Sequence, residues 1–218
     1  MFSNNLKQDI HFMYTLWIGN KNYSSWSLRA WLSLRALDIP FQEQLSPLNL
    51  GSSSYQKFKA FSPSGKVPCL IDGEQVVWDS LAIIEYVAEQ YPKLLPQDKA
   101  ARAWARCAMA EMHSGFMELR SRCPMNCALT GIEIEHTPAL DHDIQRLDEL
   151  LQQGLTQFGG VWLAGKDFGA VDAFFAPIAL RAKSYSLKFS ETTQQWMQRI
   201  LQHPNVQEWS QQGEQEDF

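Results

Sequence analysis

Ser62-Pro63-Ser64-Gly65-Lys66-Val67-Pro68-Cys69-Leu70-Ile71-Asp72-Gly73-Glu74-Gln75-Val76-Val77-Trp78-Asp79-Ser80-Leu81-Ala82-Ile83-Ile84-Glu85-Tyr86-Val87 reads as strand, turn, strand and helix. Pro68 cannot donate a ladder hydrogen bond, so at the head of a strand over 69–71 it marks an edge, a bulge or a cis bond. Asp72-Gly73 is a strong hairpin dipeptide. The second strand, 75–78, runs into Asp79-Ser80, after which Leu81, Ile84 and Val87 recur at helical spacing. Ser80 therefore stands at the start of a helix with its hydroxyl available.

A second stretch, Asn20-Lys21-Asn22-Tyr23-Ser24-Ser25-Trp26-Ser27-Leu28-Arg29, joins a short apolar strand over 14–18 to an amphipathic helix through a hydroxyl-rich turn. The free N–H groups and the positive dipole end of a helix start favour an anion there, whether phosphate, carboxylate or thiolate. Serine is also an ordinary N-cap, and by itself the turn supports capping before chemistry.

Outward from these stretches, the first half of the chain alternates strand and helix signals: strand 14–18, helix 25–37, strand 41–45, a polar loop over 49–54 and a helical turn over 55–61. This βαβ then ββα order predicts a small mixed sheet with helices packed on it. Tyr91-Pro92-Lys93-Leu94-Leu95-Pro96-Gln97-Asp98 carries two prolines and ends one helix before another begins. From Lys99 onward the strand signals fade, and helices are predicted over 100–120, 138–154, 170–184 and 191–202. The expected organisation is a leader over 1–13, an α/β domain over 14–91, a linker over 92–98 and an all-α domain over 99–218. Residues 1–12 read as a polar extension or an upstream start ahead of Met13.

The 218 residues carry a net charge of −5 and 45% hydrophobic side chains, with a pI near 5.5. There is no basic field for a nucleic-acid backbone. No apolar run approaches the roughly 20 residues that span a bilayer, and 1–12 lacks the apolar centre of a secretory signal, so neither nucleic acid nor membrane is an expected partner. Cys69, Cys107, Cys123 and Cys127 have no metal-ligand spacing and no Cys-x-x-Cys pair at the turn, so no metal is expected and the thiols read as reduced structural groups in a cytoplasmic chain. His113, His136, His142 and His203 have no partner spacing and read as structural or surface residues.

From Met13 onward the chain resembles the glutathione S-transferase superfamily, in particular its serine-type members such as the zeta-like and related bacterial enzymes. The resemblance rests on Ser24-Ser25-Trp26-Ser27-Leu28-Arg29, Lys66-Val67-Pro68 and Asp79-Ser80 in their order and spacing. It implies a thioredoxin-like first domain with a cis bond before Pro68, a helical second domain, glutathione as co-substrate and a homodimer. It places the catalytic serine at Ser24, with Ser25 as the neighbour that assists or replaces it. Val67 would pair its backbone with the cysteinyl unit of the tripeptide, Ser80 would take the γ-glutamyl carboxylate, and Asp79 would accept from the α-ammonium. Lys66 would meet the glycyl carboxylate or remain a solvated lysine, and Trp26 would sit at the mouth of a pocket for a small electrophile.

Two positions depart from the family pattern. Asp79 stands where Glu or Gln is usual, and Gly169-Ala170-Val171-Asp172 has lost the side-chain half of a capping box, leaving Asp172 to reach back to a backbone N–H. Arg29 reads as the partner of an acidic residue. The implied activity is thiolate transfer to an electrophilic carbon. The alternatives are glutathione-dependent cis-trans isomerisation of a maleyl-type diacid, for which Arg102, Arg106, Arg120 and Arg122 are candidate anchors, and a non-catalytic glutathione- or partner-binding module.

Overall fold

The computed structural model describes residues 14–48 and 53–216; the leader over 1–13 and most of the loop expected over 49–54 lie outside the described residues. Strand β1 (Tyr14–Ile18) pairs in parallel with β2 (Phe41–Leu45) and antiparallel with β3 (Cys69–Asp72), and β4 (Gln75–Trp78) completes the order β2-β1-β3-β4. Tyr14, Leu16 and Ile18 are fully buried and alternate along β1, as expected of a strand with one face in the core. The Val67–Pro68 peptide is cis and leads into β3.

Helix α1 (Ser25–Ala36) connects the parallel pair, a short α2 (Tyr55–Phe58) follows β2, and α3 (Ser80–Gln90) follows the hairpin. After a 3-10 turn at Pro92–Leu94 the chain is helical: α4 (Lys99–Ser114), α5 (Met117–Arg122), α6 (Pro138–Gln157), α7 (Ala170–Tyr185), α8 (Glu191–Gln202) and α9 (Pro204–Glu214). The molecule is thus an α/β unit with a mixed sheet followed by an all-α bundle. α1 and α7 form the main seam between these parts. α7 is buried almost all round, which makes it the central helix of the bundle.

The single helix predicted over 100–120 is two helices. Gly115 ends α4, and Phe116 takes a left-handed φ of 61° that turns the chain while its ring stays in the core. Arg120 Nε donates to the Gly115 carbonyl at 2.9 Å, and its Nη2 donates to the Met112 carbonyl, so the guanidinium covers acceptors that the end of α4 leaves open. Helix α9, which the periodicity reading passed over, begins with Pro204 at a position where its missing N–H costs nothing. Among the described residues no helix is long and apolar enough to cross a membrane.

Candidate active site

The start of α1 is a closed hydrogen-bonded unit. Ser24 is its N-cap: the hydroxyl accepts from Ser27 N–H at 3.3 Å and donates to Ser27 Oγ at 2.8 Å, and Ser27 Oγ also accepts from Gly19 N–H at 3.0 Å. Ser25 Oγ accepts from Arg181 Nη2 at 3.3 Å. A Cβ added at Gly19 would lie 3.2 Å from Val67 Cγ2 and 3.4 Å from Ser24 Cβ, so Ser24 and Val67 flank the same point with little room between them.

Distant elements hold the turn that delivers Ser24. Lys21 N–H donates to Glu216 at 2.7 Å, the Lys21 carbonyl accepts from Trp209 Nε1 at 2.8 Å, and Lys21 Nζ pairs with Glu43 at 2.7 Å. Asn22 Oδ1 accepts from Cys127 N–H at 2.7 Å. Gly213 of α9 packs so closely on Asn22 that a Cβ there would meet its backbone nitrogen at 2.8 Å.

The start of α3 is open by contrast, and it forms one wall of a cavity of about 390 Å³. Asp79 caps the helix through Oδ1, which accepts from Leu81 N–H at 2.9 Å, and adopts a φ of 76°, a costly conformation for a residue with a Cβ. Its Oδ2 lies 2.7 Å from His113 Nε2 at the end of α4. Ser80 is 1% exposed, and its Oγ has no hydrogen-bond partner among the described residues.

Five predicted residues therefore share this cavity: Trp26, Lys66, Val67, Asp79 and Ser80. Ser24 and Ser25 do not line it; Ser24 lies beside it, next to Val67. Pro68, Ser64, Trp78 and His113 complete the wall, and none of the four was predicted as a site residue. The expectation that His113 is an ordinary structural residue needs correction, since it lines the cavity, bonds Asp79 and packs edge-on against Trp26 at 5.2 Å. A partner 34 residues away leaves no spacing signal.

The expectation for Arg29 also fails. It is fully buried, yet none of its three guanidinium nitrogens has a hydrogen-bond partner among the described residues, and no carboxylate pairs with it there. Instead the guanidinium lies 4.3 Å from the ring centres of both Trp26 and Phe174, with Arg120 4.8 Å from Trp26. Burial, reinforced by Arg120 and Arg181, pushes its pKa well down, and burial also lowers that of Arg181, to about 10. Arg102, Arg106 and Arg122 are engaged elsewhere, with the carbonyls of Pro96 and Gln97, with Glu85 and with Glu118 respectively.

A larger cavity of about 510 Å³ lies between the linker and the start of α7, but Asp98 and Asp172 on its wall already serve as helix-capping groups. Asp172 accepts from Gly169 N–H at 3.1 Å, from Leu163 N–H at 3.0 Å and from Trp196 Nε1 at 2.9 Å, which supplies the retained half of the capping box. All four cysteines are unpaired, and burial pushes the thiols of Cys123 and Cys127 up to about 11 and about 12, the opposite of an activated thiol. Among the described residues no His/Cys/Asp/Glu group could hold a metal ion.

Residues 23–90 match the family model for the glutathione S-transferase N-terminal domain. Glutathione S-transferase Z1 of Arabidopsis thaliana is 32% identical over 168 residues, covering 72% of this chain and 74% of the relative. The chain belongs to the glutathione S-transferase family. Glutathione S-transferase GstB of Escherichia coli K12 is 28% identical over 208 residues, covering 89% of this chain and 96% of that one. A solved glutathione transferase homologue from Burkholderia, with bound glutathione, shares the fold at a TM-score of 0.67 and 22% identity, covering 92% of this chain and 97% of that one. Membership in a family of glutathione transferases supports enzymatic transferase activity, and it gives the cavity under α3 a ligand to be tested against.

Proposed function

We propose that the protein binds glutathione in the cavity bounded by Val67, Asp79 and Ser80 and transfers its sulfur, activated by Ser24, to a small electrophile. The observation that carries this reading is the Ser80 hydroxyl, buried at a helix start on the wall of the cavity and without a partner among the described residues. A buried hydroxyl without a partner is costly, and a carboxylate at this helix start would supply both its acceptor and an anion for the dipole. Asp79 Oδ2 then faces the α-ammonium, with His113 fixing the carboxylate from the helical side. Val67 offers its backbone beside Pro68 to the cysteinyl unit, an edge mode of peptide recognition. Lys66, exposed at the rim, suits the glycyl carboxylate.

That pose sends the cysteinyl sulfur toward Ser24, which stands beside Val67 at Gly19. A free thiol with a pKa of about 8.5 is mostly protonated at neutral pH. In the structure Ser24 Oγ donates its proton to Ser27 Oγ. When sulfur arrives, the Ser24 hydroxyl turns its proton to the sulfur, and the Ser27 hydroxyl turns its own proton back to Ser24 Oγ. Reversal keeps both oxygens bonded and polarises the donor that faces the charge. One hydrogen bond to a charged group contributes roughly 1.5–3 kcal/mol, enough to lower the thiol pKa by about one to two units. Ser25, held by Arg181, keeps the second hydroxyl of the turn in place.

The isomerase alternative needs cationic anchors for a diacid, and the engagement of Arg102, Arg106 and Arg122 leaves only Arg120 of the four near Trp26. The transferase reading is therefore preferred. In line with the family, we take the working unit to be a homodimer, residues 14–91 to be the glutathione-binding domain and 99–218 the substrate domain. Steady-state conjugation of 1-chloro-2,4-dinitrobenzene by wild type and Ser24→Ala tests the reading. Turnover that falls about ten- to hundredfold in Ser24→Ala near neutral pH supports it. Glutathione binding with no turnover of this or other electrophiles in wild type would favour the non-catalytic module.

A further inference from the structure

Helix α9 reaches both sides of the serine turn. Along α1, Trp209 packs on Trp31 with ring centres 5.1 Å apart, and Glu208 pairs with Arg35 at 3.1 Å. Ahead of α1, the Asn20 carbonyl accepts from Tyr23 N–H at 3.2 Å and from Ser24 N–H at 2.8 Å, so the turn over 20–24 closes without using the N–H of Lys21 or Asn22. Glu216 takes both: Lys21 N–H donates to Oε1 at 2.7 Å and Asn22 N–H to Oε2 at 3.2 Å. One carboxylate thus spans two consecutive amides, a charge-assisted arrangement of the stronger kind. Glu216 is seated for this by its own N–H, which donates to the Gly213 carbonyl at 3.3 Å, and by Gly213, whose missing Cβ lets α9 lie against the turn. Lys21 completes the joint, since its carbonyl accepts from Trp209 Nε1 at 2.8 Å and its buried ammonium donates to Gln212 and pairs with Glu43.

None of the residues that line the cavity comes from α9, so what this helix gives the site is geometry. From this we infer that Glu216 is a positioning residue for the reaction: its carboxylate fixes the turn over 20–24 so that the Ser24 hydroxyl points where the glutathione sulfur arrives. Without the carboxylate two neighbouring, part-buried N–H groups lose their acceptor, and the turn gains by rotating them toward water. Ser24 N–H is bonded to the Asn20 carbonyl that closes this turn, so the rotation passes directly to the serine. A hydrogen bond weakens steeply as it bends, and a small rotation therefore removes part of what the hydroxyl gives the thiolate. This inference rests on the transferase reading with Ser24 as the thiolate's donor, and it adds to that site a residue 195 positions from Lys21.

The test uses the full chain and follows kcat against pH at saturating glutathione and 1-chloro-2,4-dinitrobenzene, where the acid limb of the profile reports the thiol of bound glutathione. The glutathione KM and the urea midpoint are measured beside it. Glu216→Ala should move the acid limb up by about half to one pH unit and lower kcat on that limb about three- to tenfold, while the alkaline plateau and the glutathione KM stay within about twofold of wild type. Loss of the negative charge by itself acts the other way, because removing a carboxylate favours a nearby thiolate, so the sign of the shift separates position from charge. Glu216→Gln, which removes the charge and keeps one acceptor, should move the limb less than Glu216→Ala. Gly213→Ala keeps the carboxylate but presses on the turn, its Cβ meeting the Asn22 nitrogen at 2.8 Å and the Lys21 carbonyl carbon at 3.0 Å, and should move the limb in the same direction. Variants with a lowered urea midpoint and a wild-type limb would make Glu216 a staple of the fold alone and overturn the inference, as would a limb that moves down or a Glu216→Gln chain that does not fold. A wild-type limb at the pKa of free glutathione, or one indifferent to Ser24→Ala, would overturn the transferase reading and the inference with it.

Discussion

Two helix starts carry serines at the cleft and next to it, Ser80 on its wall and Ser24 beside Val67, and they use their hydroxyls in opposite ways. At α1 the hydroxyl of Ser24 is spent: it caps the helix and bonds Ser27, and the turn before it is clamped by Trp209, Glu216 and Cys127. At α3 the cap is supplied by Asp79, and Ser80 keeps a buried hydroxyl that bonds nothing among the described residues. The difference teaches where a ligand gains binding energy and where it finds chemistry. An unspent hydroxyl takes a carboxylate without giving anything up. A spent hydroxyl serves a thiolate only by exchanging one partner for another, so its benefit appears when charge develops. α7 offers a third start for reference, closed on itself by Asp172 and without a part in the cleft.

The largest effect should come from that reference helix. Asp172→Ala leaves two buried donors and one part-buried donor without their acceptor and should cost about 3–5 kcal/mol in urea unfolding, without changing the glutathione KM of the folded enzyme. Its pH dependence has a definite sign. Burial, opposed by its three hydrogen bonds, holds the Asp172 carboxyl up to about 6, above its ordinary value of 3.8. The folded chain thus keeps a proton that the unfolded chain releases, and stability falls as pH rises from about 4 to about 6, by about 3 kcal/mol at most. Urea midpoints of wild type minus those of Asp172→Asn across that window isolate the slope; a difference that rises with pH contradicts it.

Next in size, Ser80→Ala should raise the glutathione KM about five- to tenfold without lowering stability, since the hydroxyl has no partner to lose among the described residues. An equal loss of stability and binding would erase the contrast between α1 and α3. Ser27→Ala is the finest probe. It removes both the acceptor of Gly19 N–H and the hydroxyl that would turn toward Ser24, and should cost about 1 kcal/mol of stability with a severalfold fall in kcat. A variant less stable but with unchanged kcat would leave Ser24 acting without its neighbour.

The sequence disclosed local structure well because its signals are local. The Asp72-Gly73 hairpin and the starts of α1 and α3 each rest on adjacent residues whose backbone demands are specific, whereas Pro68 by itself left an edge, a bulge and a cis bond open, and the cis bond came with the family resemblance. The composition of the cleft wall followed, since Lys66, Val67, Asp79 and Ser80 lie on one continuous stretch. What stayed hidden was made by packing between distant segments. His113 reaches Asp79 from α4, 34 residues further along the chain. Arg29 could not be distinguished from an ordinary ion-pairing residue, because its identity as part of a cationic cluster depends on α5 and α7. Trp26 was legible as a large side chain beside the thiol position, but its place between two guanidiniums required the helical half to be docked.

The central claim is that the spent hydroxyl of Ser24 is released to the sulfur, and the thiolate absorption band of bound glutathione reads this directly. Titrated across neutral pH, wild type should show a thiol pKa about one to two units below the free value, and Ser24→Ala should return toward it. A bound thiol that stays protonated at neutral pH in wild type, or a depressed pKa indifferent to Ser24→Ala, would contradict the account.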